Sequence, residues 1–167
     1  MSELLFNELP RPTFRWLRVN HTVSSLAGED TAVQSIAVEA NKDILSPLPV
    51  GTALLDGNYE GANKEAVQVL VEKAEGYAIN VPPKAKEVVG IRSDADARVA
   101  NRLQFIVGEG AELEVQFYVT GSGDALTNVS YLNEYDVKEA GKVVVKKVNL
   151  LPEHVQHIEH RYTKLEE

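Results

Sequence analysis

Three histidines near the end of the chain, His154, His157 and His160, are the residues best suited to chemistry. Spaced three apart, they would line one side of a helix, where imidazole nitrogens hold zinc, nickel or iron. In a strand they separate, with His154 and His160 on one face and His157 on the other. The segment around them alternates apolar and polar residues, which favours a strand, so we expect no local metal site.

Two other motifs resemble ligand-binding loops. The run Gly108 to Glu112 (GEGAE) has the glycines of a phosphate loop but lacks the lysine–serine/threonine ending, and no helix pattern follows it. A tight turn explains those glycines. Asp94 and Asp96 could begin a calcium loop, but the required glycine and distal glutamate are missing. No Ser/His/Asp set or carboxylate pair stands out, so we predict no catalytic residue and no enzymatic activity.

Composition narrows the class of protein. The 167 residues include no cysteine, which excludes disulfides, thiolate metal sites and thiol nucleophiles within this chain. The net charge of −8 argues against a nucleic-acid partner. The N-terminus lacks the cationic and apolar regions of a signal peptide, and no apolar run is long enough to span a membrane. We therefore expect a cytoplasmic protein with no membrane partner.

The elements that position these residues repeat along the chain. When Val107 is laid on Val137, Leu113 and Val115 meet Val143 and Val145, which defines a repeat of thirty residues. Each copy predicts a strand, a turn of small residues, and a second strand whose residues alternate between apolar and polar. Such alternation indicates one buried face and one solvated face.

A weaker third copy lies upstream, where Val81 precedes Val107 by twenty-six residues. Stacked strand repeats of this length are typical of a solenoid, whose coils bury their faces against one another. A meander or jelly roll would also place similar strands at intervals. The repeat thus predicts a mainly β fold and leaves these architectures open.

Residues 1–75 are predicted to form an N-terminal cap region, and residues 76–167 the coils. The cap would contain short strands, a turn at Pro47 and Pro49, and a lid formed by Phe14 and Trp16. Its one clear helix covers about residues 63–75, because apolar residues recur there at helical spacing.

Several segments together resemble the SufB/SufD family of iron–sulfur cluster assembly proteins. They are GYAINVPP at Gly76–Pro83, the IVGEGAELEV core within Asn101–Gly121, Thr127–Val129, and LLPEHVQHIEHR at Leu150–Arg161. The opening LPRPTFRWLRVN is similar to the start of SufD-type members. The order and spacing of the segments carry the resemblance, and it covers the whole chain.

The resemblance implies a right-handed parallel β-helix that acts as a scaffold in the SUF system through SufB-like and SufC-like partners. An iron–sulfur cluster would then be present only in the full assembly complex, and none would bind to this chain alone. Family members continue through more coils, so we expect an N-terminal fragment or truncated member. Its open β-helix end is expected to support a homodimer, near Val143 to Tyr162.

A second function of a different class stays open from the residues. A small β-solenoid or cupin-like protein or enzyme could bind a metal through His154, His157 and His160. Metal analysis of a triple alanine variant would separate it from the scaffold, since a scaffold fragment holds no metal tightly.

Overall fold

A computed structural model describes residues 3–6, 22–25, 36–54, 64–94, 99–121 and 128–166. These residues form eleven strands and one helix, so the described chain is mainly β. The strands are β1 Glu3–Phe6, β2 Thr22–Ser25, β3 Ala37–Glu39, β4 Leu45–Leu48, β5 Gly76–Val81, β6 Lys86–Asp94, β7 Val99–Val107, β8 Glu112–Thr120, β9 Asn128–Val137, β10 Lys142–Leu150 and β11 Gln156–Leu165; the helix is α1 Lys64–Lys73.

Nine of these strands form two mixed sheets. Sheet 1 has the strand order β10-β8-β6-β3 and sheet 2 the order β11-β9-β7-β5-β4. From β5 to β11 the chain alternates between the sheets, and each strand from β7 onward pairs in parallel with the strand two places earlier. The short strands β3 and β4 add antiparallel at one edge of each sheet, and β1 pairs with β2 separately.

The strand register confirms the internal repeat. Val107 pairs with Val137, and Leu113 with Val143, as the alignment of the two copies predicts. Val81 pairs with Val107, so the weaker upstream copy is also aligned correctly. The number of residues that separates two copies of the repeat is therefore the number that separates paired residues on neighbouring strands.

Three turns from sheet 2 to sheet 1 stack directly on one another. Their third residues, Lys84, Gly110 and Ala140, occupy matching positions and have φ of 63°, 63° and 55°. The turns are hydrogen-bonded in series, since Lys84 N donates to Glu109 O at 2.9 Å and Gly110 N to Glu139 O at 2.9 Å. A left-handed residue in every turn aligns the peptide groups for this ladder, and glycine tolerates that conformation best.

The main hydrophobic core lies between the two sheets. Alternate residues of each strand point inward, in agreement with the predicted alternation, and most of those on β5 to β9 are buried. The principal core residues are Ile79, Val81, Val89, Ile91, Leu103, Phe105, Val107, Leu113, Val115, Phe117, Val129, Tyr131, Tyr135 and Val137.

The predicted helix is confirmed as α1, which covers the outer face of sheet 2. Val67 and Leu70 are buried on one side of the helix, and together with Ala74, which follows it, they pack against Leu132 of β9. A second, smaller core therefore separates the helix from the sheet. Asn63, the first residue of the predicted helix, lies outside the described residues.

The expected turn at Pro47 is wrong, because Pro47 belongs to β4 at the edge of sheet 2. Ile44 O accepts a hydrogen bond from Asn80 N at 2.8 Å, so by alternation the nitrogens of Leu45 and Pro47 point away from β5. A proline that lacks an N–H therefore costs no hydrogen bond in this strand. The proposed lid residues Phe14 and Trp16 lie outside the described residues.

Candidate functional site

The candidate site is the end of the two-sheet stack formed by β10 and β11. Each is the last strand of its sheet, and no described strand pairs with its outer edge. We call this surface the open end, and define it as the two outer strand edges with the inward-facing side chains of β10 and β11. It combines a backbone edge, a charged cluster and a small apolar cleft.

Both edges present backbone donors outward. Lys142 N donates to Ala111 O at 2.8 Å, so the N–H groups of Val143, Val145 and every second residue after them point away from β8. Glu166 N likewise donates to Val137 O at 3.0 Å, which turns the N–H groups of Thr163 and its alternate neighbours away from β9. Two long edges whose outward donors bond to no described strand can accept further strands.

A charged cluster fills one half of the open end. Lys147 Nζ of β10 lies 2.6 Å from Glu159 Oε2 of β11, and their side chains are 19% and 16% exposed. The other oxygen of Glu159 accepts hydrogen bonds from Asn133 Nδ2 and Arg161 Nη2, both at 2.8 Å. Burial alone raises the pKa of Glu159, but these donors outweigh it and lower the pKa to about 2. The carboxylate is thus held ionised inside the cluster.

His157 lies in the same cluster. Its Nε2 is 3.2 Å from Lys147 Nζ, and its Nδ1 is 3.0 Å from Asn149 Nδ2. Its ring lies nearly perpendicular to the ring of Tyr131, with 5.9 Å between the ring centroids. Burial and the charge of Lys147 lower the pKa of His157 to about 4, although Glu159 opposes them. At neutral pH the imidazole is uncharged and serves as a hydrogen-bonding neighbour of the lysine.

An apolar cleft of about 250 Å³ occupies the other half of the open end. It is lined by Tyr135, Val137, Gly141, Val143, Val145, Arg161, Thr163 and Leu165. Tyr135 is 3% exposed and stacks on Phe105 at 4.7 Å, and burial raises the pKa of its hydroxyl. Arg161 stands between this cleft and the charged cluster, since it also binds Glu159.

The structure places the three candidate histidines apart. His154 lies in the turn before β11, His157 faces inward at the open end, and His160 is buried on the opposite face of that strand. The predicted separation of His157 from His160 is confirmed. Within the described ranges, no group of three or more His, Asp or Glu side chains is placed to hold a metal ion.

Sequence reasoning missed the charged residues of the open end. Lys147 and Glu159 occupy inward positions of their strands, where the pattern of earlier coils predicts apolar side chains. A charge at an inward position is the signal that could have marked them. Their pairing spans two sheets, which local alternation does not report.

A second polar group, between α1 and sheet 2, was also missed. Arg102 and Glu134 are fully buried, with Nη2 and Oε2 4.0 Å apart. Arg102 Nη1 donates to Val71 O of the helix at 3.0 Å, and Glu134 accepts from Leu54 N and Gln104 Nε2, each at 3.0 Å. This group attaches α1 and residues 53–54 to the sheet and lies away from the open end.

A second groove crosses the outer face of sheet 1. It has a volume of about 560 Å³ and lies over Gly90, where the absence of a side chain leaves a gap. Its rim carries the Arg92–Glu39 ion pair at 3.2 Å and the exposed side chains of Tyr118 and Val148.

Among the described residues, no helix combines the length and hydrophobicity needed to cross a membrane. Comparisons with protein-family models, with curated proteins and with solved structures found no match.

Proposed function

We propose that this chain is a non-catalytic scaffold subunit that binds protein partners at the open end. The observation that carries the proposal is the pair of outer edges, nine and ten residues long, which no described strand covers. Edges of this length recruit further strands through main-chain hydrogen bonds. The charged cluster between them would set the register of an added strand.

We also propose that the fold is a right-handed parallel β-helix. Its support is the alternation of β5 to β11 between two sheets, with parallel pairing and a ladder of stacked turns. Such coils form a quasi-one-dimensional stack in which each coil contacts its neighbours. A last described coil whose outer edges no described strand covers would therefore be a natural docking surface.

The proposed setting is iron–sulfur cluster assembly in the cytoplasm, and the resemblance to the SufB/SufD family supports it. The partners would be SufB-like and SufC-like subunits, with a second copy of this chain as an alternative occupant of the open end. Any cluster would form only in the assembled complex, because this chain contains no cysteine.

The test mixes the purified chain with purified SufB-type and SufC-type proteins from the same source, and separately studies the chain alone. Light scattering after size-exclusion chromatography gives the mass of each species. We expect a complex with the SufB-type protein. A mass equal to that of the separate proteins in every mixture would contradict the iron–sulfur proposal.

Paired substitutions locate the contact. Val145→Pro with Thr163→Pro removes one outward N–H from each edge without removing a ladder hydrogen bond. Val145→Ala with Thr163→Ala trims the same side chains and keeps both donors. We expect the proline pair to abolish the complex and the alanine pair to retain it. Equal binding by both pairs would place the contact elsewhere.

A further inference from the structure

We propose that the cleft at the open end binds a small carboxylic acid with an apolar chain. The cleft lies between Val143 and Val145 of β10 and Leu165 of β11, with Val137 beneath them. These walls are aliphatic, so they favour a ligand body of hydrocarbon. This site goes beyond the proposed function and does not depend on it.

Tyr135 contributes its ring to the wall of this cleft. The residue is 3% exposed, its hydroxyl oxygen is fully buried, and its ring stacks on Phe105 with 11° between the ring planes. A ligand in the cleft therefore contacts the ring of Tyr135 and does not reach its hydroxyl.

Arg161 supplies the positive charge. A guanidinium has five N–H donors, and one hydrogen bond, from Nη2 to Glu159 Oε1 at 2.8 Å, occupies a single donor. The side chain is 47% exposed, so its other donors are accessible from the cleft that it lines. A guanidinium with further donors available selects a carboxylate over a neutral head group.

The size of the cleft limits the ligand. A volume of about 250 Å³ is below the range of pockets that hold drug-sized ligands, so the cleft suits a small molecule. Hexanoate is small and combines an aliphatic chain with a carboxylate. It is therefore the probe, with 1-hexanol as the uncharged analogue and acetate as the analogue without the chain.

Titration calorimetry of the unmodified chain with each probe tests the site, with NMR chemical shifts to locate binding. We expect hexanoate to bind at millimolar or lower concentration, and 1-hexanol and acetate to bind at least tenfold more weakly. Equal affinity for hexanoate and 1-hexanol, or no binding of hexanoate, would overturn the proposal.

Three variants assign the residues. Arg161→Gln should weaken hexanoate binding at least tenfold, because it removes the positive charge of the guanidinium. Arg161→Lys keeps that charge, so it should bind hexanoate more tightly than Arg161→Gln does, and it keeps the test valid if Arg161→Gln unfolds. Lys164→Gln, on the opposite face of β11, should not change the affinity. Unchanged affinity in Arg161→Gln, or equal loss in both Arg161 variants, would overturn the assignment.

The experiment uses the isolated chain, so its outcome is distinct from that of partner binding. If hexanoate does not bind, the proposal of a protein complex is still open to its own test. If no complex forms, the proposal of a hexanoate site likewise stands or falls by the titration.

Discussion

Lys147 and Glu159 join the two sheets at the open end, with Nζ and Oε2 2.6 Å apart. The preceding coil closes the same space with aromatic side chains, Phe117 opposite Tyr131. The last described coil therefore has a charged interior where its immediate predecessor has an aromatic one. A partner that covers this end would have to match those charges.

Lys147→Met should lower the free energy of unfolding by about 2 kcal/mol, because it leaves a largely buried carboxylate without its closest cation. Lys146→Met is the matched control. Its lysine is the next residue, but it points outward, is 60% exposed and pairs with Glu114, so we expect a change of about 0.5 kcal/mol or less. Urea unfolding at pH 7 measures both, and equal losses would mean that burial of the pair contributes nothing.

Stability should fall as the pH decreases from 6.5 to about 4. The pKa of His157 in the folded chain is lowered to about 4, so in this range the unfolded chain binds a proton that the folded chain does not. Burial also lowers the pKa of His160, which adds a contribution of the same sign. Thermal unfolding across this pH range should show that the midpoint temperature of His157→Gln changes less with pH than that of the unsubstituted chain.

A second loss should follow at lower pH. The pKa of Glu159 is lowered from 4.5 to about 2, so its stabilisation is complete above 4.5 and disappears as the pH falls towards 2. The Glu159→Gln variant should be less stable at pH 7. Its free energy of unfolding should also change less between pH 4.5 and 2 than that of the unsubstituted chain. An unchanged slope in that lower window would show that Glu159 is not the group responsible.

Arg102→Met should destabilise the chain by about 3 kcal/mol, since it leaves the buried carboxylate of Glu134 without its nearest cation and frees Val71 O of α1. Hydrogen exchange should speed up most in α1. Gln68→Ala removes an exposed contact with Glu72 on the same helix and should cost about 0.5 kcal/mol. Unfolding midpoints of the two variants compare the buried contact with the exposed one.

Gly108→Ala should destabilise the stacked turns. A Cβ at this position would lie 2.6 Å from Pro83 N and 2.9 Å from Pro82 C, both of them backbone atoms of the adjacent turn. Gly90→Ala is the control, because its Cβ would meet nothing closer than 3.5 Å. We expect a loss of about 2 kcal/mol for the first change and about zero for the second. Similar midpoints in denaturant would contradict this close approach.

Ala140→Gly should stabilise the chain by up to about 1 kcal/mol. Ala140 has φ of 55°, the left-handed conformation that its counterpart Gly110 adopts without steric cost. The neighbouring substitution Glu139→Gly relieves no such strain and should cost about 0.5 kcal/mol in backbone entropy. Chemical denaturation of the two variants should therefore show midpoint shifts of opposite sign.

Much of the fold follows from local patterns in the sequence. The repeat aligned Val107 with Val137, and that alignment is the strand register, because strands that pair in parallel carry matching patterns. The helix was predicted because its apolar residues recur with helical spacing. Pro47 was assigned to a turn because sequence alone does not tell an edge strand from a loop.

The candidate site depended on the tertiary structure. Lys147 and Glu159 lie on different sheets, and Arg102 and Glu134 on adjacent strands beneath a helix. Their pairing depends on how the sheets and helix pack, which no local period encodes. The sequence by itself determined the period, the alternation of inward and outward residues and the position of α1. Only the packing of two sheets decided which inward charges meet, because a contact across a core is fixed by distances between elements.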